Sequence, residues 1–282
     1  MASQASSQLH FVLFPFLIQG HIIPMIDIAR LLAKHGAFVT IVTTPKNAAR
    51  FQNVIERGIQ SGLPIQVIEF RFPCQEVGLP EGCENWDMLP SITLVPKFFS
   101  AVEMLQLPLE NLFREIQPKP SCLISDMLLP WTVSSARKFN VPRIVFHGFS
   151  GFCLSCLHCL SVSKVHESVS SDSEYFLVPG LPDQVEITKD QLPEILKKKS
   201  FGEPILAAEM ASYGVIVNSF EELEPGYVEE YKKARGGKVW CVGPVSFLNK
   251  EDIDKVERGN KASIDCSGCL KWLDSWEPSS VV

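Results

Sequence analysis

The sequence predicts an α/β fold, a Rossmann-like doubly wound parallel sheet, and three observations carry that prediction. Short apolar runs alternate with helical patterns along most of the chain, the order that βαβ units require. The first run, residues 12–16 (VLFPF), holds no charge, as expected for a central parallel strand covered on both faces. Between it and the next helix stand Gln19, Gly20 and His21, at the carboxyl end of a strand, where open α/β sheets bind ligands.

The first helical pattern begins at Ile23. Asp27, Arg30 and Lys34 fall three and four apart on a polar face, Pro24 suits a first turn, and Gly36 marks the stop. The positive end of that helix disfavours imidazolium and predicts a neutral His21, able to accept a proton. Residues 37–43 (AFVTIVT) read as a second strand and 65–70 as a third, with a helix from Thr44-Pro45 to Ile59 between them. Residues 71–90 are irregular, rich in Pro and Gly, and contain Trp86; a loop of that length is expected to be functional or mobile. Residues 94–116 are helical in pattern, with a break expected from Pro96 and Pro108.

Further strands are expected at 122–125 (CLIS), ended by Asp126, and at 143–147 (RIVFH), 214–218 (GVIVN) and 239–242 (VWCV). Helices are expected over 131–139, from Ser150 to about Val165, and over 201–212 and 225–234. Composition changes at Gly243-Pro244, and the charged residues 248–264 read as an interdomain linker. A helical pattern then resumes (CLKWLDSW), and Pro278 leads into a strand signal at Val281-Val282.

With 282 residues, 46% hydrophobic and 21% charged, the chain can bury a core. Its 26 basic and 32 acidic residues form no basic stripe, which argues against a nucleic-acid partner. Lys197-Lys198-Lys199 reads as a solvated helix end. The N-terminus fits neither a signal peptide nor a membrane span. Nine cysteines, mostly in apolar surroundings, fit reduced thiols and a cytoplasmic protein.

Three chemical constellations compete. His21 and Asp126 both stand at carboxyl ends of buried strands, so the carboxylate can hold one ring nitrogen while the other takes a proton. The plainer role for Asp126 is to cap the helix near Leu129. Ser150, in strand–turn–serine–helix context, resembles a hydrolase nucleophile elbow, but Phe152 replaces the required glycine. Cys153, Cys156, Cys159, Cys266 and Cys269 show metal-like spacing, yet FCLSCLHCL reads as core packing of an apolar helix; no metal is expected. No phosphate-binding fingerprint occurs.

Read in order, FPFLIQGHIIPMIDIARLLA, VTIVTTPKN, LISDMLLPWT, VPRIVFHGFS, VIVNSFEELEP, VGPV and CLKWLDSWEPSSVV resemble the N-terminal half of a plant family-1 UDP-sugar glycosyltransferase. The resemblance implies a GT-B fold of two facing Rossmann-like domains. Residues 1–247 would be the acceptor-binding domain, 248–264 the linker, and 265–282 the start of a truncated domain for the nucleotide sugar.

It implies an inverting transfer, with UDP-glucose or a related UDP-sugar as co-substrate, in which His21 is the base and Asp126 its partner, with no metal or other cofactor. Gln19 and Gly20 would border the donor. Trp86, His147, Phe149, Ser150 and Phe152 would contact a small-molecule acceptor such as a flavonoid, terpenoid, hormone or other phenol. The family's donor signature, with His-Cys-Gly-Trp-Asn-Ser, does not occur in these residues. That implies a fragment inactive alone, with apolar interdomain surface exposed. The alternative of a different class is a non-catalytic module that binds acceptors or pairs with an intact relative.

Overall fold

A computed structural model describes residues 8–248, Asp254, Glu257 and 266–280. The chain opens with β1 (His10–Phe14), α1 (Gln19–Lys34), β2 (Phe38–Thr43), α2 (Pro45–Gln60) and β3 (Ile65–Glu69). A short α3 (Cys74–Val77) precedes α4 (Val95–Glu103) and α5 (Gln106–Glu115). Then come β4 (Cys122–Asp126), α6 (Thr132–Lys138), β5 (Arg143–His147) and α7 (Gly151–Ser163). A hairpin of β6 (Phe176–Leu177) and β7 (Glu186–Ile187) leads to α8 (Glu194–Lys197) and α9 (Lys199–Met210). The sheet is completed by β8 (Gly214–Val217), α10 (Pro225–Ala234) and β9 (Val239–Cys241), and α11 (Cys266–Asp274) follows.

Seven strands form one sheet in the order β3-β2-β1-β4-β5-β8-β9, every neighbouring pair parallel. This is the doubly wound α/β architecture expected. Side chains alternate across β1. Val12 and Phe14 enter a core with Phe98, Val102, Leu105 and Phe113 from α4 and α5. Leu13 enters the opposite core with Met25, Ile28, Phe51 and Val54 from α1 and α2. Burial on both faces is what the uncharged strands require.

Element boundaries differ from expectation in places with identifiable causes. β1 lies two residues earlier than expected and ends at Phe14. It is paired on both sides, and Pro15 has no N–H for a central ladder. His10 enters the strand because both ring nitrogens are satisfied, Nδ1 at 2.6 Å from the Pro118 carbonyl and Nε2 at 2.8 Å from Thr40 Oγ1. α1 starts at Gln19, not Ile23, so Pro24 lies inside the helix and leaves the Gly20 carbonyl without its helical donor. Asp27, expected on a solvated face, is buried, and Arg30 pairs with Asp254. That face of α1 is covered at Asp27 and Arg30, while Lys34 stays exposed.

The expected break in the long helix falls at Met104–Leu105, between α4 and α5. Pro108 explains it, because it cannot donate to the Met104 carbonyl. The stretch Ile92–Glu115 is long and apolar enough to cross a membrane. Here it is folded as separate helices whose Phe98, Ala101, Leu105, Leu109 and Phe113 are core residues. α9 begins at Lys199, and α3, α8 and the β6–β7 hairpin were not anticipated. Of the expected linker, all but Leu248, Asp254 and Glu257 lie outside the described residues, as do Met1–Ser7 and the strand signal at Val281-Val282. Asp254 is buried and accepts hydrogen bonds from Arg57 at 2.6 and 3.0 Å.

Candidate active site

Strand order makes the site. Connections from β1 run through β2 and β3 on one side, while β4 leads to β5, β8 and β9 on the other. The carboxyl ends of β1 and β4 therefore flank a topological switch point, the position of ligand crevices in such sheets. Phe14 lies opposite Ser125 in the ladder. Asp126 is the last residue of β4, and His21 is the third residue of α1, whose chain has just left β1.

The two side chains meet there. His21 Nδ1 is 2.7 Å from Asp126 Oδ2, with 20% of the His21 side chain exposed and 1% of Asp126. The other carboxylate oxygen accepts the Leu128 backbone N–H at 2.9 Å, so Asp126 also holds the turn into α6. A carboxylate accepts only, so Nδ1 carries the shared proton and Nε2 keeps a lone pair. Burial pushes the His21 imidazole down, but the charge and hydrogen bond of Asp126 outweigh it, and the net shift is upward. The helix end was expected to disfavour the imidazolium; the net direction is instead upward, because the carboxylate lies at bonding distance.

Gln19 and Gly20 occupy the first two positions of α1, not the turn before it. Gly20 is exposed, with open space where a side chain would project. No side chain caps this helix end, and no acidic residue lies in its first turn, so its positive end is left for an incoming anion.

Aromatic rings line one side of His21. Phe16 lies 6.0 Å from the imidazole, centroid to centroid, and stacks on Phe99 at 5.4 Å. Phe99 in turn meets Trp86 at 6.1 Å and Phe201 at 5.3 Å. Trp86 belongs to the irregular stretch that was expected to be mobile or functional, and that stretch is firmly tied. The Trp86 N–H donates to the Leu17 carbonyl at 3.0 Å. Buried Asn85 donates to Asn47 Oδ1 at 2.6 Å, and Asn47 donates to the Glu84 carbonyl at 2.7 Å. Phe16, Phe99 and Phe201 were missed from the sequence because their closeness to His21 depends on how α4 and α9 dock.

The other expected acceptor residues lie at the end of β5 and just after it. His147 is buried with Nε2 2.7 Å from Glu209 Oε2, and Glu209 also accepts from the Tyr231 hydroxyl at 2.5 Å. Phe149 and Phe152 are exposed, and Phe152 sets its edge against Tyr227 at 5.0 Å.

Ser150 is the N-cap of α7, its oxygen accepting the Cys153 N–H at 3.2 Å. The Gly151 N–H, which an elbow would need for an oxyanion, donates to the Glu224 carboxylate at 2.8 Å, and the Phe152 N–H donates to the same carboxylate at 3.0 Å. That arrangement disposes of the hydrolase reading. Ser150→Ala is expected to cost about 1 kcal/mol in urea unfolding, the ordinary loss of a cap.

The cysteine helix packs through Leu154, Ser155, Leu157 and Leu160, while Cys153, Cys156 and Cys159 are only half-buried. Burial still pushes the Cys156 thiol up to about 11. Among the described residues no group of three or more His, Cys, Asp or Glu side chains is placed to hold a metal ion.

A sequence profile described as glycosyltransferase, N-terminal domain, matches residues 7–247. UDP-glycosyltransferase 73C4 of Arabidopsis thaliana is 55% identical over 291 residues, covering 100% of this chain and 59% of that protein. UDP-glycosyltransferase 73C11 of Barbarea vulgaris is 54% identical over 282 residues, covering 98% of this chain and 57% of that protein. The chain thus spans under two thirds of the length of these curated relatives. Among solved structures, Glycyrrhiza uralensis UGT73P12 complexed with glycyrrhetinic acid 3-O-monoglucuronide superposes with a TM-score of 0.83 at 38% identity. That superposition covers 95% of this chain and 55% of the other. Arabidopsis thaliana UGT89C1 complexed with UDP-L-rhamnose superposes with a TM-score of 0.71 at 25% identity, covering 96% of this chain and 56% of that one.

Proposed function

The chain belongs to the plant family-1 UDP-glycosyltransferases, matching their N-terminal domain, and from that premise we propose that His21 is the base of an inverting glycosyl transfer. The observation that carries this is the 2.7 Å contact between His21 Nδ1 and nearly inaccessible Asp126 at the switch point. His21 Nε2 takes the proton of an acceptor hydroxyl as that oxygen attacks the anomeric carbon of a UDP-sugar. The bond from that carbon to the UDP oxygen breaks, and UDP leaves with the electron pair. Asp126 holds the ring and offsets the charge of the imidazolium formed. The step calls on no metal or other cofactor.

On this reading the donor lies beside Gln19 and Gly20, at the uncapped end of α1. The acceptor is a small, largely apolar hydroxyl compound held against Phe16, Phe99 and Trp86. His147, Phe149, Ser150 and Phe152 complete the acceptor contacts on this reading. The solved relative with a glycyrrhetinic acid glucuronide supports an acceptor with broad apolar faces. The domain division at residue 247, with a linker over 248–264 and a second domain from 265, belongs to the same proposal. Eight cysteines among the described residues are free thiols, which supports placing the protein in the cytoplasm.

The test is UDP release from UDP-glucose over a panel of phenolic and terpenoid alcohols. The 282-residue chain is assayed beside a chimera that continues it with the remaining residues of UDP-glycosyltransferase 73C4. Turnover by the chimera, lost on His21→Ala, supports the transferase. A chimera that binds acceptors in titration yet releases no UDP supports the non-catalytic module instead.

A further inference from the structure

A buried arginine stands behind the His21–Asp126 pair. Arg143 opens β5 and is 3% exposed. Its Nε donates to Ser125 Oγ at 2.7 Å. Nη2 donates to the backbone carbonyls of Asp126 at 3.1 Å and Leu129 at 3.4 Å. Nη1 donates to Ser212 Oγ at 2.8 Å and the Ala208 carbonyl at 3.3 Å. The guanidinium therefore grips the last two residues of β4 and the turn that follows, and ties them to the end of α9.

All five acceptors are neutral, and among the described residues no carboxylate lies within ion-pair distance of Arg143. A buried charge without a contacting counter-ion is costly, and a purely structural brace for carbonyls has no need of it. The anions that act on it are Asp126 and Glu209. Glu209 is already engaged by His147, Tyr231 and Arg235, whereas the ionisable partner of Asp126 at contact distance is His21. Burial draws the Arg143 guanidinium down to about 10, still charged at neutral pH.

We propose that Arg143 is a positioning residue for the proton transfer, fixing the Asp126 turn and setting a permanent positive charge behind the carboxylate. This rests on the reading of His21 as the base. The charge has a definite sign of action. It attracts the Asp126 carboxylate and opposes the imidazolium of His21, so it limits how far Asp126 raises the proton affinity of the base. A base left too strongly protonated would be unavailable at neutral pH.

The experiment is an NMR titration of the chain carrying ¹³C-labelled histidine, with the His21 signal assigned by its loss in His21→Ala. Arg143→Gln removes the charge and keeps an amide donor; it is expected to raise the His21 pKa by about one unit. Arg143→Lys keeps the charge and is expected to stay within about 0.3 units of the parent. A brace without an electrostatic role would act oppositely, since a loosened turn takes the carboxylate from His21 and lowers its pKa. A fall or no change in Arg143→Gln overturns the proposal.

If that variant does not fold, His21 is titrated in Arg143→Met, which removes the same charge with an apolar side chain of similar length; a rise in the His21 pKa supports the proposal, and a fall or no change overturns it. None of these titrations needs turnover, so failure of the transferase reading, seen in the chimera, stays distinct from failure of this one.

Discussion

His21→Ala lowers kcat of the chimera with UDP-glucose by roughly 10²- to 10⁴-fold, the usual worth of a positioned general base, with little change in acceptor affinity. The expectation follows from geometry. Asp126 occupies Nδ1 at 2.7 Å, so the imidazole has one nitrogen left for chemistry. The ring is partly exposed, beside aromatic residues and near an uncapped helix end. Alanine removes the proton acceptor but leaves Phe16, Phe99 and Trp86 in place to bind acceptor. Full activity in the variant would show that another group takes the proton. The parent also has a predictable pH profile. The base works when neutral, and its pKa is raised above the ordinary 6.5, so activity falls on an acid limb that lies above that value.

Asp126→Ala is expected to cost roughly a hundredfold or more in kcat and to move that acid limb down. The first influence on His21 is burial, which lowers its pKa; the two opposing influences both come from Asp126. With the carboxylate gone, nothing offsets burial and His21 titrates below 6.5.

Stability changes with a matching sign. In the parent, the folded-state pKa of His21 exceeds the unfolded one, so the pair stabilises the fold at pH below about 6.5. That contribution fades as pH rises through the folded-state value. Parent and variant should therefore differ most in urea unfolding below about pH 6.5 and converge in this contribution as pH rises past the folded-state value. A stability gap that widened with rising pH would contradict the assignment.

The uncharged strands at 12–16 and 122–125 were readable because a strand covered on both faces has little room for a charge; 143–147 was readable from its apolar Ile144-Val145-Phe146 centre despite Arg143. β5 falls on its expected span. The start of α1 was misplaced because Gln19 and Gly20 carry no cap signal; the N-cap is Ile18, set by extended backbone and not by a side-chain hydrogen bond. Asp27 was assigned to solvent by spacing alone, and burial of that face arises from packing. His147 was legible as a polar residue at a strand end, but its engagement with Glu209, 62 residues on, was not.

The sequence by itself determined the class of fold, the family resemblance and the two residues, His21 and Asp126, that stand at strand ends. These depend on local periodicity and on short motifs, which a linear chain displays. Only the tertiary structure decided that β1 and β4 are neighbours, so that side chains 105 positions apart share a proton at 2.7 Å. The direction of the His21 shift, the aromatic wall of Phe16, Phe99 and Trp86, and the buried charge of Arg143 were likewise decided there. Each depends on distances between segments remote in sequence, and on burial that strengthens a charge–charge contact while penalising a lone charge.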